Sequence, residues 1–273
     1  MKFINQQRIM SEVGPLIRAI GNGGHQNLLL QGPAGCGKTS LAKHIANSVG
    51  QSWSIQIPIK GRIKTRRFHE FSINFIDEIH KFKDWEILYP AMDRQEQTFI
   101  FCTTEYGESP EPFLSRCIRL SFDPYSVEDL SEIVRRYSTG RRFKLNKTCC
   151  LLVAGVSRGS PRIAKQRFDR VKMMLQYYSF DSTAHWVEHV LRQLGIYTFG
   201  YTTEDFRYLE YLQHVGVSSL NNLSRALRID RNTLEKEVEP FLLEKDNIII
   251  TSKGRKFIKW PESTGMNPTT EVV

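Results

Sequence analysis

The run Gly32-Pro33-Ala34-Gly35-Cys36-Gly37-Lys38-Thr39 constrains this chain more than any other segment. It fits the pattern GxxxxGK[ST]. Before it stands the apolar run Leu28–Leu30; after it Leu41, Ile45 and Val49 recur at helical spacing. A buried strand, a glycine-rich turn and a helix opening on Lys-Thr make a phosphate cradle. Glycines let the backbone wrap a phosphate without Cβ clashes, and the N–H groups at the helix start offer it positive potential. In such a loop Lys38 reaches the β and γ phosphates of a nucleotide, and the Thr39 hydroxyl ligates Mg2+. Gly32, Pro33, Gly35, Cys36, Gly37 and Ser40 complete the expected contact surface for ATP.

The sequence around the cradle alternates between two periods. Ser52–Ile59, Phe71–Ile76, Thr98–Thr103 and Ile118–Phe122 read as further strands, and Trp85–Met92 as helix. Strands alternating with helices imply an α/β domain, a parallel sheet with helices on both faces. The third strand ends in Asp77-Glu78. That ending puts Asp77 at the sheet's carboxyl edge, near a nucleotide-bound Mg2+, and lets Glu78 orient and deprotonate an attacking water. Asn74 interrupts the apolar run, so this strand is expected to be less buried than its neighbours.

From Ser126 the pattern turns all-helical: Ser126–Tyr137, which opens like a capping box with Asp129, then Thr148–Val156 and Pro161–Tyr178. From Thr202 it changes again. Helices are expected at Thr203–His214, Ser219–Leu227 and Asp230–Leu243, then two strands, Asn247–Thr251 and Lys256–Trp260, around a turn at Ser252–Arg255. Three helices and a hairpin describe a winged helix-turn-helix. The expected organisation is a P-loop domain over 1–121, a helical lid over 122–197, a winged helix over 198–262 and a frayed polar tail over 263–273.

The 273 residues carry 38 Lys and Arg against 29 Asp and Glu, a net charge of +9. By segment, 1–121 has 15 basic and 11 acidic residues, 122–197 has 13 and 7, and 198–273 has 10 and 11. The surplus fits an acidic polymer, and it lies outside the nearly neutral C-terminal third. No apolar stretch approaches the roughly 20 residues of a membrane span, and the first residues show no apolar leader core. Five cysteines, an odd count without CxxC, argue against a disulfide framework or zinc site and fit a reducing cytoplasm.

FIDEIH, LYPAM, FIFCTTE, LSRC and GSPRIA stand in the order found in AAA+ ATPases. The chain resembles the RuvB family of Holliday-junction branch-migration motors over nearly its whole length, down to EPFLLEKDNIIITSKGR. The resemblance implies an ATP-hydrolysing helicase or translocase that works as a hexameric ring. It makes Thr104 the sensor-1 residue, Arg116 an arginine finger reaching a neighbour's ATP, and Arg162 the sensor-2 contact to the γ-phosphate. It places Ile4 and Gln6 beside the adenine. It implies recombination or repair DNA as partner, gripped with little sequence specificity, and Arg255 beside Lys253 as wing contacts.

Two departures stand out. RuvB proteins carry a long hairpin before the fourth strand that docks on RuvA; LYPAMDRQEQ runs almost directly into TFIFCTT, so the loading partner is open. The segment Lys60–Arg67 is instead basic, and Lys64, Arg66 and Arg67 are candidates to grip DNA phosphates. Two other functions fit parts of the pattern: a clamp-loader-like assembly, from Ser115-Arg116-Cys117, and a nucleotide-gated DNA-binding switch that does not translocate. The Asp230–Leu243 helix, with Asp230, Glu235, Glu237 and Glu239 against Arg231 and Lys236, is poorly suited to enter a groove.

Overall fold

The computed structural model describes residues 4, 6–105, 107 and 109–261. The expected tail, 263–273, lies outside the described residues. The chain packs as two units, one formed by Met1–Tyr137 with Gly159–Gln166, the other by Ser138–Arg158 with Arg167–Val273.

The first unit runs α1 (Gln7–Gly21), β1 (Asn27–Gln31), α2 (Lys38–Val49), β2 (Trp53–Gln56), β3 (Ile73–Ile76), α3 (Tyr89–Asp93), β4 (Thr98–Thr103), α4 (Glu111–Leu114), β5 (Ile118–Ser121) and most of α5 (Val127–Gly140). Five parallel strands lie in the order β2-β3-β4-β1-β5. The strand carrying the cradle is thus flanked on both sides and fully buried at Leu28, Leu29 and Leu30. Register pairs Gln31 with Thr103 and with Ser121, and Ile76 with Phe101, so the carboxyl ends of β1, β3, β4 and β5 form one edge. Beneath the sheet Phe99 stacks on Phe101, with Phe68 edge-on to Phe99 and Phe113 edge-on to Phe101. Each such buried ring contributes roughly 1.5–3 kcal/mol by transfer, which makes the sheet a stiff platform for its carboxyl edge.

Several local expectations needed correction. Asn74 is 1% exposed, not partly solvated. Its amide donates to the Phe68 and Phe71 carbonyls and its oxygen accepts from Ser54, so a satisfied amide replaces an apolar side chain without cost to burial. β2 stops at Gln56 because Pro58 lacks an N–H; the chain then reverses through Lys60 and Gly61, both at positive φ, in an Ile59–Arg62 bridge. Trp85–Met92 is a 3-10 turn, Trp85–Ile87, followed by α3 with Pro90 in its first turn. α1 was not anticipated: Gly14-Pro15 disguises a helix whose buried face is Ile9, Val13 and Ile20.

In the second unit α6 (Lys147–Gly155), capped by Asn146, and most of α7 (Pro161–Tyr177) are joined by α8 (Ala184–Gln193), a helix the sequence reading passed over. Then come α9 (Thr203–Val215), β6 (Val217–Ser218), α10 (Leu220–Leu227), α11 (Arg231–Thr233), α12 (Glu239–Glu244), β7 (Ile248–Thr251) and β8 (Gly254–Phe257). β6, β8 and β7 form an antiparallel sheet over a core that includes Tyr208, Leu209, Leu212, Leu223 and Leu242. Thr202 and Asp205 close a full capping box on α9. The expected single helix Asp230–Leu243 is divided: Leu234–Val238 widens into a π turn. Pro240 cannot donate to Lys236, and the wide turn absorbs the missing bond.

The wing turn is also tighter than expected. It is Ser252-Lys253, and Gly254 already belongs to β8, where a Cβ would stand 2.4 Å from the Ser218 carbonyl oxygen. Arg255 is therefore a ladder residue opposite Ile250 and Ser218.

Candidate nucleotide site

The cradle leaves β1 at the carboxyl edge and enters α2. Gly35 (φ +78°) and Gly37 (φ +110°) hold left-handed conformations that side-chain-bearing residues rarely adopt. Gly35 is also pressed from outside: a Cβ there would lie 2.7 Å from both the Arg162 Cβ and the Ser160 Oγ. Gly32 is as tight, with the Phe122 Cβ at 2.7 Å from the position a Cβ would take. The Lys38 ammonium lies buried in the bowl, donating to the Gly32 and Pro33 carbonyls at 2.7 and 2.8 Å and to Cys36 Sγ at 3.8 Å. Burial pushes the Cys36 thiol up, so it stays protonated. Pro33 and Ser40 face solvent on the rim.

The end of β3 brings the acidic element to the bowl. Thr39 Oγ1 donates to Asp77 Oδ2 at 2.9 Å, and Asp77 Oδ1 accepts from the Glu78 N–H at 3.0 Å. A hydroxyl and a carboxylate side by side are hard oxygen donors. They fit Mg2+, which takes few protein ligands and completes its octahedron with phosphates and water. Among the described residues no cluster of three or more His, Cys, Asp or Glu offers a self-sufficient metal cage. Glu78 sits at φ +53°, the strained turn that aims its carboxylate off the strand end. Lys81 bonds that carboxylate and, with His80 and Arg162 nearby, holds it below the usual glutamate range.

β4 joins this cluster through contacts that no spacing along the chain announced. The hydroxyl of Thr103, its last residue, is 3.3 Å from His80 Nδ1 and both donates to and accepts from the Glu105 backbone, while His80 Nε2 lies 3.6 Å from the Glu105 carboxylate. Thr104 follows at the first bend, half-buried. The only sequence signal for His80 was its place in FIDEIH. Gln6 is buried and donates to the Asp123 carbonyl at 3.4 Å, beside the Phe122 that presses on Gly32; Ile4 is half-buried close by in sequence.

Arg116 stands apart from these residues, between α4 and β5 at the amino edge of the sheet. Its guanidinium bonds both oxygens of Asp93 (2.7 and 3.1 Å), donates to the Pro112 carbonyl (2.7 Å) and lies 4.8 Å over the Tyr89 ring. Asp93 is held below its ordinary value by this pairing.

The basic surfaces differ from one another. Lys64, Arg66 and Arg67 are exposed; Lys64 is pinned through its backbone to Gln56, and Arg67 is paired with Glu70 at 2.8 Å. On the wing, Lys253 is exposed at the turn, whereas the Arg255 side chain is 17% exposed and bonds both oxygens of Glu239 at 2.9 and 3.1 Å. Glu239, itself 2% exposed, also accepts from Tyr208 at 2.7 Å. No helix among the described residues is long and apolar enough to cross a membrane.

Residues 1–111 match the model of the Holliday junction DNA helicase RuvB P-loop domain, and residues 198–259 that of the RuvB C-terminal winged helix domain. RuvB of Campylobacter concisus, a Holliday junction branch migration complex subunit, is 30% identical over 289 residues covering 93% of this chain and 85% of its own. That of Mycoplasma genitalium is 28% identical, covering 93% and 92%. The Thermotoga maritima RuvB Holliday junction branch migration motor superposes with a TM-score of 0.79 at 28% identity, covering 94% and 93%.

Proposed function

The chain belongs to the RuvB family, and from that premise we propose that it is an ATP-hydrolysing motor acting on branched or duplex DNA in recombination, repair or replication. Its P-loop domain and winged helix are the parts such a motor needs. The observation that carries the reading is the hydrogen bond from Thr39 to Asp77, which joins cradle and strand end in one Mg2+-competent pair.

In this reading the nucleotide's phosphates take over the donors that Lys38 now gives to Gly32 and Pro33. Thr39 and Asp77 would hold a Mg2+, which would supply positive charge against the nucleotide's phosphates. Glu78, ionised, orients the attacking water and takes its proton. Arg162, packed on Gly35, would meet the γ-phosphate; Thr104, one residue beyond β4, would bond the attacking water or the γ-phosphate. Ile4 and Gln6 flank the adenine.

Arg116 serves another subunit. The cradle leaves the carboxyl end of β1 while Arg116 sits by the amino ends of β1 and β5, a strand length of about 16 Å away. A side chain of this length does not span that gap, so turnover requires a second copy, most simply in a hexameric ring in the cytoplasm. Four residues, 94–97, link α3 to β4 without a strand, so a RuvA-like loader would dock elsewhere. DNA is gripped through phosphates by Lys64, Arg66, Arg67 and the wing residues Lys253 and Arg255, weakly by sequence.

A branch-migration assay on a synthetic four-way junction tests the proposal. Movement with ATP and none with a non-hydrolysable analogue is expected. ATP-dependent binding without movement would instead establish the nucleotide-gated switch.

A further inference from the structure

Arg116 is held at more points than an exposed arginine needs. A guanidinium carries five N–H bonds in one plane. Asp93 takes two, from Nε and Nη2, and the Pro112 carbonyl takes one from Nη1. The Tyr89 ring covers one flat side at 4.8 Å. The two remaining N–H bonds are carried one each by Nη1 and Nη2, a spacing that can donate to two oxygens of one phosphate. The group borders a recess lined by Gln26, Asn27, Gln95, Gln97 and Ser115, so it faces an opening edged with amides.

An exposed ion pair contributes little to stability. The Asp93 side chain is 53% exposed and that of Arg116 32%, so holding the fold together does not explain this arrangement. Orientation does. Tyr89 and Asp93 both come from α3, at its two ends, and Pro112 from α4, so two separate elements fix the guanidinium plane. A cationic side chain with several free rotations, fixed before its target arrives, loses less entropy when the target binds.

We infer that Asp93 and Tyr89 are positioning residues for Arg116, presenting its outer fork to the γ-phosphate of ATP on a second copy of the chain. The inference rests on the arginine-finger reading proposed above. Asp93 stays bonded to Arg116 during turnover; it neither releases the finger nor restrains it.

Steady-state ATPase of the assembled full chain, resolved into kcat and KM, tests this with Asp93→Asn, Asp93→Glu and Arg116→Ala. ATP-dependent assembly is followed by sedimentation. Asp93→Asn is expected to lower kcat roughly tenfold with KM and assembly unchanged, since displacement of a charge by about 1 Å costs that much or more. Asp93→Glu, which keeps the pair but moves it, should fall between Asn and wild type. Wild-type or higher kcat for Asp93→Asn, beside a collapsed Arg116→Ala, overturns the role of Asp93 and leaves the finger standing. Wild-type kcat for Arg116→Ala removes the finger reading itself. If Asp93→Asn fails to assemble, Asp93→Glu decides: wild-type kcat in an intact assembly makes the contact merely structural.

Discussion

At the scale of single residues, position in the sequence and position in space diverge most at Arg255. By sequence it stands on a basic wing with Lys253. In space its guanidinium is shared with the nearly buried Glu239, which also takes the Tyr208 hydroxyl; burial, and then this bond, drive that phenol's pKa upward. The two wing residues therefore answer mutation differently. Lys253→Ala should weaken DNA binding evenly across sequences and lower the slope of log affinity against log salt by about 1. Arg255→Ala should in addition destabilise the second unit by about 3 kcal/mol, because it strands a buried carboxylate; chemical denaturation measures this. Equal stability of the two variants would contradict the buried pair. The P-loop residues were legible because their chemistry demands a fixed spacing along the chain. Glu239 was not, because a glutamate in a helix reads as surface until its neighbours in space are known.

At the scale of elements, the cradle and the basic loop each make a prediction. Gly35→Ala must place a methyl at φ +78° and 2.7 Å from the Arg162 Cβ. It should lower ATP affinity at least about tenfold while far-ultraviolet circular dichroism stays wild-type, since the strain is confined to one turn; titration with a fluorescent ATP analogue measures it. In the loop after β2, Arg67 already shares its charge with Glu70. Replacing Lys64, Arg66 and Arg67 together by Ala should abolish most DNA stimulation of the ATPase and spare the basal rate. Arg67→Ala alone should change it little, and a full loss from that single change would count against the assignment. Strands were legible where β-branched and aromatic residues gathered, as at Thr98–Thr103, which is buried at every position. The reading failed where a local rule was overridden: Pro15 inside α1, where the missing bond falls on the exposed Ser11 turn, and Pro240, where a π turn takes up the irregularity.

At the scale of the whole molecule, the proposed finger role of Arg116, set apart from its own cradle, would make hydrolysis a property of the assembly. Turnover per site should fall steeply on dilution below the assembly concentration and return when protein is added back. A rate per site independent of concentration would show that a lone chain completes its site. The net charge of +9 belongs chiefly to the first unit and the lid helices, so the basic wing is a local patch on a near-neutral domain. The sequence by itself determined the strand–cradle–helix start, the Asp-Glu strand end, the parallel sheet and the winged helix, because each is written in spacing along the chain or in a side-chain period. Only the tertiary structure decided that Thr103 meets His80, that Glu239 buries Arg255, and that Asp93 and Tyr89 hold Arg116. Those pairings join residues distant in sequence, and strand order and register, not local propensity, bring them within bonding distance.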